Sequence, residues 1–287
     1  MLYSKPITEI ITQRFSCRRY FEKPIEAEKR QRLADFLSSN GTGPLGSPVR
    51  FQLVAATEQD RSSLKGLGTY GVIRGATGFI VGAVRQSKKN LEDYGYLMER
   101  AILYATDIGL GTCWLGGTFT RSRFARKISA AQGELIPTVT SIGYSAERGR
   151  FEGTMHQPAG ADNRQPWESL FFRKKFGDPL PPGEAEAYAV PLAMVRIGPS
   201  ASNKQPWRII KDGNTWHFYM QRTKGYGNTL TFKLLRLADL QRVDMGIAMS
   251  HFELTANELG LKGKWVVKEP PIDKPDRLIE YTVSWAG

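Results

Sequence analysis

The chain is poor in the residues that build metal sites and covalent cross-links. Its 287 residues include two cysteines, Cys17 and Cys113, and three histidines, His156, His217 and His251. The cysteines form no Cys-x-x-Cys pair and have no histidine nearby, which argues against a zinc centre, and no metal site is expected. Residues 1–11 contain no apolar segment of the kind that directs export, so a reducing cytoplasm is the expected location and a disulfide is not expected. No apolar run approaches the length of a bilayer span, and no membrane partner is expected. A Ser-His-Asp order and a paired-carboxylate motif are both missing, so acid–base hydrolysis has no candidate residues.

Acidic residues are also in short supply. Lys and Arg number 40 against 28 Asp and Glu, a formal charge of +12. The cations are scattered, with no long basic run and no nucleic-acid motif, so small anionic ligands fit better than nucleic acid. Two Gly-x-Gly-x-x-Gly matches, at 41–46 and 66–71, lack the preceding strand and following helix of a dinucleotide fingerprint and read as turns.

What the chain does contain is a repeat. Asp93-Tyr94-Gly95 opens an amphipathic run carrying Leu97, Met98, Ala101, Ala105 and Ile108, followed by Gly109, Leu110 and Trp114. At an offset of 151, Asp244-Met245-Gly246 opens a second run with Ala248, Met249, Phe252, Ala256 and Leu259, followed by Gly260, Leu261 and Trp265. Chance would align the apolar stripes more readily than the flanking aspartate, glycines and tryptophan. Residues 50–54 pair with 207–210, and 135–144 with 278–285. Each half reads as helix, loop, strand, strand, long helix, strand. The expected division is 1–150, a Pro/Gly-rich connection at 151–183, and 184–287, with the long helices packing about a pseudo-two-fold axis.

Two segments are suited to ligand chemistry. Arg14, Ser16 and Arg18 alternate, so an extended backbone puts two guanidiniums and a hydroxyl on one face, a set matched to a phosphate monoester; a solvated basic turn is the competing reading. Residues 198–207, Gly-Pro-Ser-Ala-Ser-Asn-Lys-Gln-Pro-Trp, form a polar loop before an apolar run, and a plain surface turn competes there.

Together these elements resemble the FMN-dependent nitroreductase family. Arg-x-Ser-x-Arg near the start, a Gly-Leu-Gly helix end leading to Trp114-Leu115-Gly116-Gly117, and Pro-Ser-x-x-Asn-x-Gln-Pro-Trp at 199–207 stand in family order across most of the chain. The resemblance implies an α+β nitroreductase-like fold, with two halves of mixed, largely antiparallel sheet. It implies FMN as cofactor, NAD(P)H as transient electron donor, and a nitroaromatic or quinone-like small molecule as acceptor. Arg14, Ser16 and Arg18 would hold the phosphate and ribityl oxygens, with Arg148 and Arg150 as a further basic pair. Leu115, Gly116 and Gly117 would lie against the flavin, a backbone amide of the glycine pair facing N5, and Pro199, Ser200 and Asn203 would approach from the other half. Tyr70, Arg74 and Tyr226 are candidates for the acceptor surroundings. The arginine pattern is missing from the second half, at Trp167–Phe172, and the Ser/Asn pattern from the first, at 43–48. One composite site per chain is therefore expected, in a monomer equivalent to a dimer that could still self-associate. Non-catalytic FMN storage or sensing is the alternative reading, as is different flavin chemistry such as dehalogenation or flavin breakdown.

Overall fold

A computed structural model describes residues 2–146, 163–226 and 238–287. Contacts divide the chain into two units, Met1–Met155 and His156–Gly287. Both are α+β with largely antiparallel sheets, as the sequence predicts. No helix among the described residues is long and apolar enough to cross a membrane.

Unit 1 runs α1 (Ile7–Gln13), α2 (Ala27–Ser39), β1 (Val49–Ala55), β2 (Gly78–Arg85), α3 (Asn90–Asp107), β3 (Gly111–Leu115), α4 (Arg121–Lys127), β4 (Glu134–Leu135) and β5 (Val139–Gly143). Its sheet has the order β1-β2-β5-β3, with every neighbour antiparallel and β4 attached to β2. Strand β2 is buried from Gly78 to Val84, because both of its faces are covered. Gly82 is obligatory there: a Cβ would collide with the rings of Phe51 and Tyr94, which meet at 5.5 Å.

Unit 2 runs β6 (Phe171–Arg173), α5 (Ala189–Arg196), β7 (Trp207–Asp212), β8 (Thr215–Gln221), α6 (Leu240–Glu258), β9 (Lys264–Val266) and β10 (Ile279–Ala286). Its sheet has the order β6-β7-β8-β10-β9. Without β6 this is the order of unit 1, strand for strand. Strand β6 pairs with β7 in parallel, Phe171 opposite Ile209, and adds an outer strand to the sheet. The segment read as connection, and as the decayed arginine motif, thus contributes to the sheet of unit 2.

The repeated Gly-Leu pair has a physical cause. Gly109 and Gly260 take left-handed backbone at φ +79° and +74°. Leu110 N–H then donates to Ala105 O, and Leu261 N–H to Ala256 O, at 2.8 and 2.9 Å. Both long helices end in the same glycine-dependent closure. The cores differ. Phe252 on α6 lies 5.2–6.2 Å from the rings of Tyr188, Trp216, Phe218, Trp265 and Trp285. The matching position on α3 is the buried Ala101.

Candidate functional site

In unit 1 the backbone leaves α1 at Arg14 and runs beside β3. Ser16 bridges Thr112 in parallel, and Cys17 N–H donates to Thr112 O at 2.8 Å. The arginine segment therefore lies along the strand whose end, Trp114-Leu115, delivers Gly116 and Gly117. Ser16, Arg18 and Gly116 are half-buried and Gly117 is exposed. Arg18 Nη1 donates to Ser16 O at 3.2 Å. Beneath this segment Tyr20 Oη donates to Cys17 O at 2.8 Å and meets Ser141 Oγ at 2.9 Å. Burial raises the Tyr20 pKa well above its ordinary value, so the phenol stays neutral.

Arg14 departs from the picture of a guanidinium open to a ligand. It is 7% exposed, and its Nε stands 3.9 Å from Oε1 of the fully buried Glu99. Sequence reading missed Glu99; the only available signal was an acidic residue between Met98 and Ala101 of an apolar stripe.

A loop ties the arginine segment to the chain beyond the glycine pair. Arg74 N–H donates to Arg18 O and Tyr20 N–H to Arg74 O, both at 2.9 Å. Six residues earlier, Gly68 exchanges bonds with Thr120 at 3.0 and 3.1 Å. Tyr70, between these anchors, is 70% exposed and left-handed at φ 50°. Tyr226, by contrast, is committed within unit 2: its Oη accepts Leu240 N–H at 2.9 Å, and burial pushes its pKa up to about 12. Of the acceptor candidates, Tyr70 and Arg74 are exposed to solvent, and Tyr70 is the aromatic one.

In unit 2 the loop 198–206 leads from α5 into β7. Ser202, Asn203 and Gln205 all take left-handed φ, at 50°, 53° and 49°. Three such non-glycine residues within four positions are a strained arrangement that neighbours must hold. Asp244 on α6 accepts Ala201 N–H at 3.0 and 3.1 Å, and Ser200 Oγ accepts Gln205 N–H at 2.9 Å. The segment 163–165 completes the clamp. Arg164 donates to Gly198 O at 3.0 Å and to Asn203 Oδ1 at 2.9 Å. Asn203 Nδ2 donates to Asn163 O, and Gln165 N–H to Gln205 Oε1, both at 2.9 Å. The clamp had a readable signal: Asn163-Arg164-Gln165-Pro166-Trp167 repeats the Asn-x-Gln-Pro-Trp of 203–207, and the two copies bond to each other. Arg208 is largely desolvated, which lowers its pKa to about 10, and it donates to Gln205 O and Trp207 O.

Asp93 does in unit 1 what Asp244 does in unit 2. Its two oxygens accept Leu45 N–H and Ser47 N–H at 2.8 Å. Burial raises both aspartate pKa values, that of Asp244 well above its ordinary value.

Other candidates take different places. His217 Nδ1 bonds Ser284 Oγ at 2.7 Å, and His251 Nδ1 bonds Met194 O at 2.9 Å. Arg148, Arg150 and His156 lie outside the described residues.

The family model described as "Putative TM nitroreductase" matches residues 6–256. A crystal structure from Thermotoga maritima, described as a nitroreductase, is 21% identical, with 98% of this chain and 93% of that chain covered and a TM-score of 0.59. A Desulfovibrio desulfuricans nitroreductase in complex with FMN is 22% identical, with 54% of this chain and 93% of that one covered and a TM-score of 0.41. A Desulfitobacterium hafniense nitroreductase with bound FMN is 18% identical, with 54% and 94% covered and a TM-score of 0.41. No curated protein matches the chain.

Proposed function

From a chain that belongs to the nitroreductase family by a match over residues 6–256, we infer an FMN-dependent oxidoreductase that takes electrons from NAD(P)H and passes them to a nitroaromatic or quinone-like acceptor. One observation carries this reading. The arginine segment and the strand leading to Gly116-Gly117, which the family resemblance assigns to opposite ends of one flavin, are hydrogen-bonded neighbours through Ser16, Cys17 and Thr112.

The residues present fit such a group. Ser16 and Arg18 offer a hydroxyl and a guanidinium to a phosphate, while Arg14 supports them from a buried position. Leu115, Gly116 and Gly117 bring the end of β3 close to a planar ring, and glycine admits it because no Cβ stands in the way. Arg148 and Arg150 belong to the same proposal as further phosphate contacts. The family resemblance also assigns Pro199, Ser200 and Asn203, in the loop 198–206 of unit 2, to flavin contact. The strain in that loop supports a role beyond joining α5 to β7. Bound FMN supplies the hydride chemistry; the protein binds, orients and excludes water. Exposed Tyr70 offers an aromatic face to a flat acceptor. The reading includes a cytoplasmic chain that works as a monomer.

The test is the purified protein's absorption spectrum, its flavin content per chain, and its NADH or NADPH consumption with nitrofurazone or menadione. A flavin spectrum with acceptor-dependent turnover is expected. A chain that binds no FMN overturns the reading; bound FMN that neither nicotinamide donor reduces makes it a flavin-binding protein instead.

A further inference from the structure

A carboxylate buried in mid-helix is costly unless paired and hydrogen-bonded. Glu99 on α3 is fully buried and meets that requirement on two sides. Its Oε1 faces Arg14 Nε at 3.9 Å, and its Oε2 accepts the Trp114 indole N–H at 2.8 Å. Arg14 is the first residue after α1, and Trp114 is the second residue before the glycine pair. One carboxylate thus joins the start of the arginine segment to the strand that leads into Gly116.

Unit 2 provides the control. Trp265, at the repeat position of Trp114, donates to Glu253 Oε2 at 2.5 Å. Glu253 matches position 102 of α3, one turn further along, and is half-buried; the true counterpart of Glu99 is Ser250. A strand tryptophan can therefore be tied to the long helix by a carboxylate that keeps some water. At position 99 the carboxylate is fully buried and faces the guanidinium of Arg14 as well as the indole of Trp114.

We propose that Glu99 is a positioning residue. It fixes the buried guanidinium of Arg14 and the indole of Trp114 in one register, and so sets the spacing between the phosphate end and the ring end of the flavin site. The coupling stands on the geometry alone; its effect on flavin rests on the function proposed above.

Two measurements separate these levels. In the ¹⁵N-tryptophan-labelled protein, Trp114→Phe identifies the Trp114 indole resonance. Arg14→Ala is expected to shift that resonance in the parent chain and to leave it in place in a Glu99→Gln background. A resonance that ignores Arg14→Ala, or responds equally in both backgrounds, overturns the coupling. Glu99→Gln is chosen because its amide oxygen still accepts the indole N–H, whereas alanine would strand the Arg14 charge and endanger folding. In the second measurement Glu99→Gln is expected to weaken FMN binding about tenfold, the size of one disturbed charge-assisted contact, and riboflavin binding by less than about twofold, because riboflavin lacks the phosphate. Equal loss for both flavins, or no loss for either, overturns the positioning role. If the parent chain binds neither flavin, the proposed function fails while the resonance experiment still decides the coupling.

Discussion

The two units place the same aspartate under the same loop and get opposite results. In unit 1, Asp93 accepts two backbone N–H groups of the turn at 43–48, where Gly46 alone takes a left-handed φ. Glycine pays almost nothing for that conformation, so the turn is relaxed. In unit 2, Asp244 reaches only Ala201 N–H, and the loop beyond it forces Ser202, Asn203 and Gln205 into the left-handed region. That loop requires a second retaining element, and the 163–165 segment provides it. An anchor alone therefore does not produce a strained loop. The strain is carried by Ser202, Asn203 and Gln205, whereas the turn of unit 1 is Gly43-Pro44-Leu45-Gly46-Ser47-Pro48, and strain present in one copy alone points to a use in that copy.

The largest effect that would sharpen this comparison concerns the cores. Phe252→Ala should destabilise unit 2 by about 3–5 kcal/mol, since it empties the centre of a cluster of five aromatic rings. Hydrogen exchange should report the loss on β8 and α6, with α3 unaffected; equal loss in both units would mean that they do not fold as separate cores.

Next come the ligand-facing differences. Arg18→Ala should weaken FMN binding by on the order of 1.5–3 kcal/mol, as expected for loss of a charge-assisted contact to the phosphate. Asn203→Ala should also lower FMN affinity, whereas Ser47→Ala in the relaxed turn should not change it. Fluorescence titration measures all three. If Asn203→Ala binds FMN as the parent does, unit 2 contributes nothing to the site and the asymmetry of the loops needs another cause.

The aspartates give a smaller, pH-dependent contrast. Burial raises Asp244, so the folded state holds that proton more tightly than the unfolded chain does. Its ionisation cost is absent below the ordinary carboxylate range and grows as pH rises through the folded pKa. Asp244→Asn carries no such cost and keeps one acceptor for Ala201 N–H. The melting temperature of the variant relative to the parent should therefore increase with pH. Asp93→Asn should follow the same direction less steeply, because two backbone N–H groups offset its burial.

The smallest effect is at the surface. Hydrogen bonding from Arg50 lowers the Glu134 pKa to about 2, so its contribution is complete above the ordinary carboxylate value and fades as pH falls toward 2. Glu134→Gln should remove that acid-range slope from unit 1 at a cost below about 1 kcal/mol, because the Arg50 partner is 42% exposed and water screens the pair. Acid titration followed by circular dichroism measures it.

The parts of the fold that were legible in the sequence are those fixed by local chemistry. Glycine closures, the two apolar stripes and the final strands all announce themselves within a few residues. The helices begin at Asn90 and Leu240, ahead of Asp93 and Asp244, because these aspartates face a loop from inside the first turns and do not cap the helix. Strand β6 was not legible: Pro166, Gly177 and Pro179 give the composition of a linker, and only β7 makes Phe171–Arg173 a strand. Within the site, the arginine pattern was visible, but the burial of Arg14 was not, since it depends on a carboxylate 85 positions away on another element.

Strand β6 also determines where this polypeptide can be cut. A recombinant piece beginning at Pro181 would retain α5, α6 and β7–β10, yet it would leave the outer margin of β7 with bare N–H and C=O groups beside Ile209 and Ile210. Such a margin templates intermolecular pairing, and the piece would be prone to precipitate or to associate edge to edge. A piece beginning at Asn163 carries its own cover strand and the clamp for its loop. The repeat visible in the sequence and the separable piece of polypeptide therefore start about twenty residues apart, because β6 belongs to the second by hydrogen bonding.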